Sequence, residues 1–158
     1  KIEARSYAIA AAHAAGGWED FASAQLSYQF CLASALRFGA VGMAQFSEAA
    51  RRDPETEALC RLVEVGVDEE AERDYPNSRT AELTVTFADG SRAVRRVSDP
   101  LGSPDNPLPR ADLEAKFLSL AGPVLGERPA RELAVSLLGR PALPAPAHLL
   151  SLVLPTAP

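Results

Sequence analysis

The stretch from Arg79 to Phe117 limits the possible folds of this chain more than any other. Two runs of alternating apolar and polar residues flank the dipeptide Asp89-Gly90, and an irregular Gly-Ser-Pro-Asp-Asn-Pro-Leu segment then leads into a helix at Arg110. Alternation is typical of a strand with one buried and one exposed face. Asp-Gly is a common pair at the tip of a hairpin. The stretch therefore predicts an antiparallel hairpin, a structured loop and a helix, in that order.

The register of this hairpin is left open by the sequence. A two-residue turn at Asp89-Gly90 places Val94 opposite Val85. A turn one or two residues longer shifts the pairing and changes which side chains share a face. The second strand carries three basic side chains, namely Arg92, Arg95 and Arg96. Arginines can fork onto carboxylates, although a solvated strand face is the favoured interpretation here.

A helix from Tyr28 to about Phe38 is the clearest element of the N-terminal half. Ser27 is its predicted N-cap, because a serine hydroxyl can accept a hydrogen bond from a free backbone N–H of the first turn. Gly39 is the predicted stop. The helix is apolar on two sides, so both sides should be covered. One cover is the sheet of this domain, and the other is a surface that the chain does not contain.

The remaining elements complete the fold class. Further helices are predicted at these positions: around 41–52, from Asp53-Pro54 onward, over 111–121 and over 127–138. Strands are predicted over 1–12 and 62–67, and the acidic run 68–72 is predicted to be a solvated connector. This order predicts an α+β fold, with a mainly antiparallel β-sheet and helices packed on one face.

The length and the proline distribution predict one domain and a tail. At 158 residues the chain suits a single domain, which we place over residues 1–140. Residues 141–158 mix prolines with an apolar run. Because proline opposes a long helix and this apolar surface is unfavourable in water, we expect the tail to pack on a neighbouring domain or subunit.

Composition excludes several classes of partner. A net charge of −5 argues against nucleic-acid binding. No apolar run approaches the roughly 20 residues that span a bilayer, and the N-terminal residues do not resemble a signal peptide. Cys31 and Cys60 lack a CxxC spacing and are predicted to be reduced core thiols. We therefore expect a cytoplasmic protein that binds neither nucleic acid nor membranes.

No complete active site is predicted from the residues, and no catalytic residue is assigned. His13 and His148 are the only imidazoles, and neither lies at ligand spacing from a Cys, Asp or Glu, so no metal site is expected. The best candidate binding feature is Ser27-Tyr28-Gln29, at the start of the predicted helix. Free N–H groups and the helix dipole favour an anion there, such as a substrate carboxylate. Plain capping is nevertheless the favoured interpretation of these residues.

Several motifs in a fixed order resemble the smaller domain of the MmgE/PrpD family. They are Ala24-Gln-Leu-Ser-Tyr-Gln-Phe30, the helix ending at Gly39, Val41-Gly-Met-Ala-Gln-Phe46, the Asp89-Gly90 hairpin, the loop from Asp99 to Leu108, and Leu113-Glu-Ala-Lys-Phe117. The similarity covers roughly residues 1–138. Its most specific part is the GxPxNPL loop followed by LExKF.

The resemblance implies an activity that this chain does not carry alone. The family includes 2-methylcitrate dehydratase of propionate catabolism, cis-aconitate decarboxylase and iminodisuccinate epimerase. It implies a lyase or isomerase, often a homodimer, that abstracts a proton next to a carboxylate of a small polycarboxylate, with no metal or organic cofactor. A large all-helical domain carries most of the catalytic groups, and a smaller α+β lid closes over the cleft. We expect this chain to be the lid, inactive by itself, with the large domain upstream of Lys1.

Few of the family's site residues can be transferred to this sequence. Some members place a tyrosine at the end of a Ser-x-x-Tyr motif, facing the substrate, and here that position is Phe30. Tyr28 lies two residues earlier, about 200° around a helix. Ser27 does match the motif, and the substrate-facing candidates are Ser27, Tyr28 and Gln29. The alternative to the lid of an enzyme is a non-enzymatic module of the same fold, which binds a ligand or dimerises.

Overall fold

The structure is a computed structural model that describes residues 1–139 and 145–153, without the side chains of Ala15, His148 and Leu152. The strands of the described part form one mixed sheet in the order β2-β1-β3-β4. Their bounds are β1 Ile2–Ser6, β2 Val63–Val67, β3 Ala81–Thr86 and β4 Arg92–Val97. β1 is parallel to β2 and antiparallel to β3, and β3 is antiparallel to β4. The predicted α+β fold with a mainly antiparallel sheet is confirmed.

The helices connect and flank these strands. In chain order they are α1 Ala8–Ala12, α2 Phe21–Leu26, α3 Tyr28–Phe38, α4 Glu48–Arg51, α5 Pro54–Cys60, α6 Glu69–Asp74, α7 Arg110–Leu125, α8 Glu127–Leu138 and α9 Pro146–Val153. Single 3₁₀ turns lie at His13–Ala15 and Met43–Phe46.

The chain divides into two compact units, of which the first is Lys1–Asn106 and the second begins at Pro107. The first holds the sheet, and α1 and α3 pack against β2. In the second, α8 packs against α7 and α9. The predicted boundary at residue 140 stays a prediction, because residues 140–144 and 154–158 of the expected tail lie outside the described residues.

Local capping signals set the helices that the sequence predicts best. The Ser27 hydroxyl accepts a hydrogen bond from the backbone N–H of Phe30 at the start of α3. α3 ends at Gly39, whose φ of 68° is left-handed and suits glycine. The Asp53 carboxylate accepts a hydrogen bond of 2.7 Å from the Thr56 N–H at the start of α5. Capping thus fixes where both helices begin.

The core of the first unit lies between these helices. It consists of Ala24, Phe30, Ala33, Phe46 and Cys60. The two alanines leave room for the rings, and the Phe30 and Phe46 centroids lie 6.0 Å apart. One apolar side of α3 is therefore buried by the chain itself.

The hairpin has a longer turn than the two residues that Asp-Gly favours. The Phe87 N–H donates to the Ser91 carbonyl at 2.9 Å, which leaves a three-residue loop with Gly90 at a φ of 84°. This is the arrangement of a turn closed by a left-handed glycine. Val94 consequently pairs with Thr84. The two-residue register is wrong, and the longer alternative is confirmed.

Two other sequence predictions are wrong in part. The first strand stops at Ser6, and the alanine-rich residues after it form α1, since alanine is the strongest helix former. The acidic run is α6 rather than a connector, with Asp68 as its N-cap at 2.7 Å from the Ala71 N–H. That hydrogen bond, together with Arg96, lowers the pKa of the Asp68 carboxyl.

Arg96 links the acidic helix to the hairpin. Its guanidinium lies 2.9 Å from Glu70 and 3.4 Å from both Asp68 and Glu82. Arg92 and Arg95 are exposed, as a solvated strand face requires. Of the three arginines of β4, Arg96 therefore belongs to an ion-pair network, whereas Arg92 and Arg95 are solvated. Exposed ion pairs of this kind add little stability.

Candidate functional site

Ser27 acts as a helix cap in this structure. Its side chain is 1% exposed, and its Oγ lies 3.3 Å from the Phe30 nitrogen to which it is hydrogen-bonded. The hydroxyl is thus already used by the backbone of α3. Its contact with a substrate stays a prediction.

Tyr28 is half-buried beside two other polar side chains. Burial raises the pKa of its phenol, and a hydrogen bond with the Ser6 side chain partly opposes this rise. The phenol therefore stays protonated at neutral pH and can take part in hydrogen bonds without carrying charge. Tyr7 lies near it and stacks on Tyr75 with the ring centroids 4.4 Å apart. All three tyrosines of the chain therefore gather near the end of β1.

Gln29 faces away from these two residues. Its Nε2 donates to the Ala14 carbonyl at 2.9 Å. Its Oε1 is buried and has no hydrogen-bond partner among the described residues. The predicted trio is therefore split, with Ser27 and Tyr28 at one pocket and Gln29 outside its lining.

A pocket of about 440 Å³ lies along α3, next to α1 and the end of α2. Its apolar lining consists of Ala10, Leu26, Leu32 and Ala35. Ser27, Tyr28, His13, Gln25 and Cys31 add polar groups. We call this the α3 pocket. An apolar cavity with a few convergent polar groups is the usual form of a small-molecule site.

Sequence reasoning missed His13 and Cys31 as pocket residues. Cys31 and Leu32 stand three and four positions after Tyr28, so helical spacing alone could have placed them on one face. No spacing in the sequence indicates His13, because this residue comes from the 3₁₀ turn at His13–Ala15 and only the packing of the fold brings it to the pocket. The Cys31 Sγ lies 3.6 Å from the carbonyls of Ala24 and Gln25, and burial raises the pKa of its thiol.

The second apolar side of α3 is open in this chain. Leu36 on the helix is exposed, and so is Leu26, which lines the α3 pocket beside it. Phe30 on the opposite side is completely buried. Apolar side chains are therefore exposed along this helix, and their covering by a docked domain stays a prediction.

Two further properties of the described residues bear on function. Within residues 1–139 and 145–153, no group of three or more His, Cys, Asp and Glu side chains could hold a metal ion. Across the same residues, each helix is too short or too polar to cross a bilayer.

Removal of the Ser27 hydroxyl should measure its capping role. We expect Ser27→Ala to lower the free energy of unfolding by about 1 kcal/mol, as loss of an N-cap does. Ser27→Thr keeps an Oγ and should lose only a fraction of that. Urea unfolding followed by circular dichroism tests both variants. Equal losses in the two would show that the hydroxyl does not cap α3.

The described fold is that of an α+β domain with one helix face buried and the other open. The chain belongs to the MmgE/PrpD family, since the model of the MmgE/PrpD C-terminal domain matches residues 1–138. The resemblance carried by the GSPDNPL loop and the motifs around it is therefore confirmed. A search of curated proteins finds no match for this chain.

Proposed function

We propose that this chain is the lid domain of an MmgE/PrpD-type enzyme acting on a small polycarboxylate. The reaction is a dehydration, decarboxylation or epimerisation that begins with removal of a proton next to a carboxylate. The match to the family's C-terminal domain carries this proposal. An all-helical domain upstream supplies the general base, and the lid alone is inactive.

The open side of α3 supports a docking role in this proposal. Leu36 is exposed on a helix whose other side holds the buried Phe30 and Ala33, so covering Leu36 needs no rearrangement of that buried side. An exposed apolar patch of this kind marks an interaction site in soluble proteins. The α3 pocket lies along the same helix and faces the cleft in this proposal.

The residues of the α3 pocket have limited chemical roles. Closure of a lid excludes water from the reacting groups and strengthens hydrogen bonds to them. Tyr28, which like any phenol is protonated at neutral pH, provides a neutral hydroxyl beside the substrate. Ser27 holds the first turn of α3 in place, and Leu32 and Ala35 exclude water. The proton-transfer groups belong to the upstream domain.

Turnover by two forms of the protein tests the proposal. We expect no turnover of 2-methylcitrate, cis-aconitate or iminodisuccinate by the isolated chain. The product of the complete coding region should carry a further domain of roughly 250 residues or more before Lys1, and should convert at least one of these compounds. Turnover by the isolated chain at an enzymatic rate would overturn the proposal, and so would a natural start codon close to Lys1.

The same open face also favours the second candidate, a dimerising module without activity. That candidate predicts a dimer of the isolated chain that dissociates when Leu26 is changed to Glu. Val94→Glu is the matched control, because both side chains are 61% exposed and Val94 lies on β4. Analytical ultracentrifugation separates the candidates, since the lid proposal predicts that the isolated chain does not dimerise through this face.

A further inference from the structure

A second pocket lies in the first unit, between residues 76–79 and the loop 99–105. Its volume is about 560 Å³. Backbone and side-chain hydrogen bonds close the loop on itself: Asn106 Nδ2 to the Asp99 carbonyl at 2.9 Å, and Gly102 N–H to the Asn106 carbonyl at 2.7 Å. The Arg79 N–H and the Ser78 hydroxyl both donate to the Ser98 carbonyl. The wall of this pocket, which we call the loop pocket, is thus built in advance.

Two polar groups of the loop pocket lack partners among the described residues. The Ser103 Oγ is buried without a hydrogen bond, and such a group usually indicates a missing partner. Arg79 lines the pocket, and no carboxylate of the described residues forms an ion pair with its guanidinium. Arg37 and Arg96, by contrast, each bind carboxylates of the chain. The pocket therefore offers an unused cation, while the Ser103 hydroxyl is buried within the loop that forms its wall.

The charges around the pocket select the kind of ligand. Asp99 and Asp105 line the same space as Arg79. A simple anion would be attracted by Arg79 but repelled by the two carboxylates. A simple cation would be attracted by the carboxylates but repelled by Arg79. A zwitterion satisfies both signs, because its carboxylate forks onto Arg79 while its ammonium group donates to an aspartate.

The rest of the lining is apolar. Pro76, Pro100, Pro104 and Leu101 contribute to it, and Leu101 is exposed, so its surface is free to be covered. We propose that the loop pocket binds a free α-amino acid with an apolar side chain. This binding is separate from the lid function and does not depend on it.

Three small molecules of nearly the same shape test this proposal on the complete 158-residue chain. L-Leucine carries both charged groups, 4-methylpentanoate lacks the ammonium group, and 3-methylbutylamine lacks the carboxylate. We expect L-leucine to bind about tenfold tighter than either of the others, or more, because each of them loses one charge-assisted hydrogen bond. Amide chemical shifts of Leu101, Gly102, Ser103 and Asp105 should report the binding. Equal binding by 4-methylpentanoate, or no binding of L-leucine up to its solubility limit, would overturn the proposal.

A matched pair of variants locates the site. Arg79→Gln should weaken L-leucine binding about tenfold or more. Arg95→Gln removes another exposed arginine, on β4, and should leave the affinity unchanged. Circular dichroism shows whether each variant is folded, and the three-ligand comparison on the unaltered chain stands even if one is not. An unchanged affinity in folded Arg79→Gln would also refute the assignment.

Discussion

Phe30→Ala should lower the free energy of unfolding by about 3–5 kcal/mol, the usual loss when a buried phenylalanine is truncated. Phe30 is completely buried and packs with Phe46 among small core residues, so the cavity cannot be filled easily. Phe38→Ala on the same helix is the matched control. Phe38 is 43% exposed, and its loss should cost about 1 kcal/mol or less. Guanidinium unfolding of both variants measures the difference.

Phe30→Tyr tests whether position 30 could present a hydroxyl to a substrate, as the resemblance to the family implies for some members. The resemblance implies that some members of the family have a tyrosine at this position, with its hydroxyl facing the substrate. In this structure an added hydroxyl would enter a closed apolar core, and we expect a loss of about 1–3 kcal/mol for a buried polar group without a partner. Stability equal to the unaltered chain would instead mean that the ring edge of Phe30 reaches an accessible cleft.

The elements that the sequence predicts correctly are those with local signals. Ser27 and Gly39 mark the two ends of α3 because capping and a left-handed glycine involve only neighbouring residues. Asp53-Pro54 marks the start of α5 in the same way. The parallel pairing of β1 with β2 is different, because it joins residues about sixty positions apart. No local pattern reports such a pairing.

The hairpin register shows a competition between two local rules. Asp-Gly is compatible with both a two-residue turn and a longer one. The structure adopts the longer turn, in which the Asp89 carboxylate accepts a hydrogen bond from the Ser91 N–H at 2.9 Å. Burial could not decide between them, because every residue of β4 is exposed. A register is weakly specified where neither face is buried.

In the candidate site too, the features set by neighbouring residues could be predicted, and those set by residues distant in the sequence could not. Ser27 and Tyr28 could be placed near the start of α3 from sequence, and Gln29 could be expected to point elsewhere, since neighbours on a helix differ by about 100°. The buried state of Ser27 and the approach of His13 depend on the packing of α1 and the 3₁₀ turn after it. Those contacts involve segments that carry no recognisable signal.

The alkylation rates of the two cysteines should show the largest change of any quantity predicted for this chain. They should also report on the docking of the lid. Burial raises the pKa of the Cys60 thiol to about 11, against an ordinary value of about 8.5. Because only the thiolate reacts, Cys60 at pH 8 should be alkylated on the order of 100-fold more slowly in the folded chain than in urea. Its side chain is 2% exposed, which slows the reaction further. Iodoacetamide labelling followed by peptide mass spectrometry measures each thiol separately.

The raised pKa of Cys60 also has a consequence for stability. The thiol of the unfolded chain loses its proton first as the pH rises, so the folded state holds more protons between about pH 8.5 and about 11. The free energy of unfolding should therefore fall with rising pH across this window. Cys60→Ala should show a shallower fall than the unaltered chain. An identical slope in the two would mean that other groups control the alkaline stability.

Cys31 provides the docking readout, because it lines the α3 pocket while Cys60 belongs to the core. If the upstream domain covers the open side of α3, Cys31 should be alkylated more slowly in the complete protein than in the isolated chain. The Cys60 rate should be the same in both forms, since burial by the chain itself already limits it. Slowing of both thiols would indicate only a more stable fold. An unchanged Cys31 rate would show that the α3 pocket is not covered by that domain, and the docking surface would have to lie elsewhere on the lid.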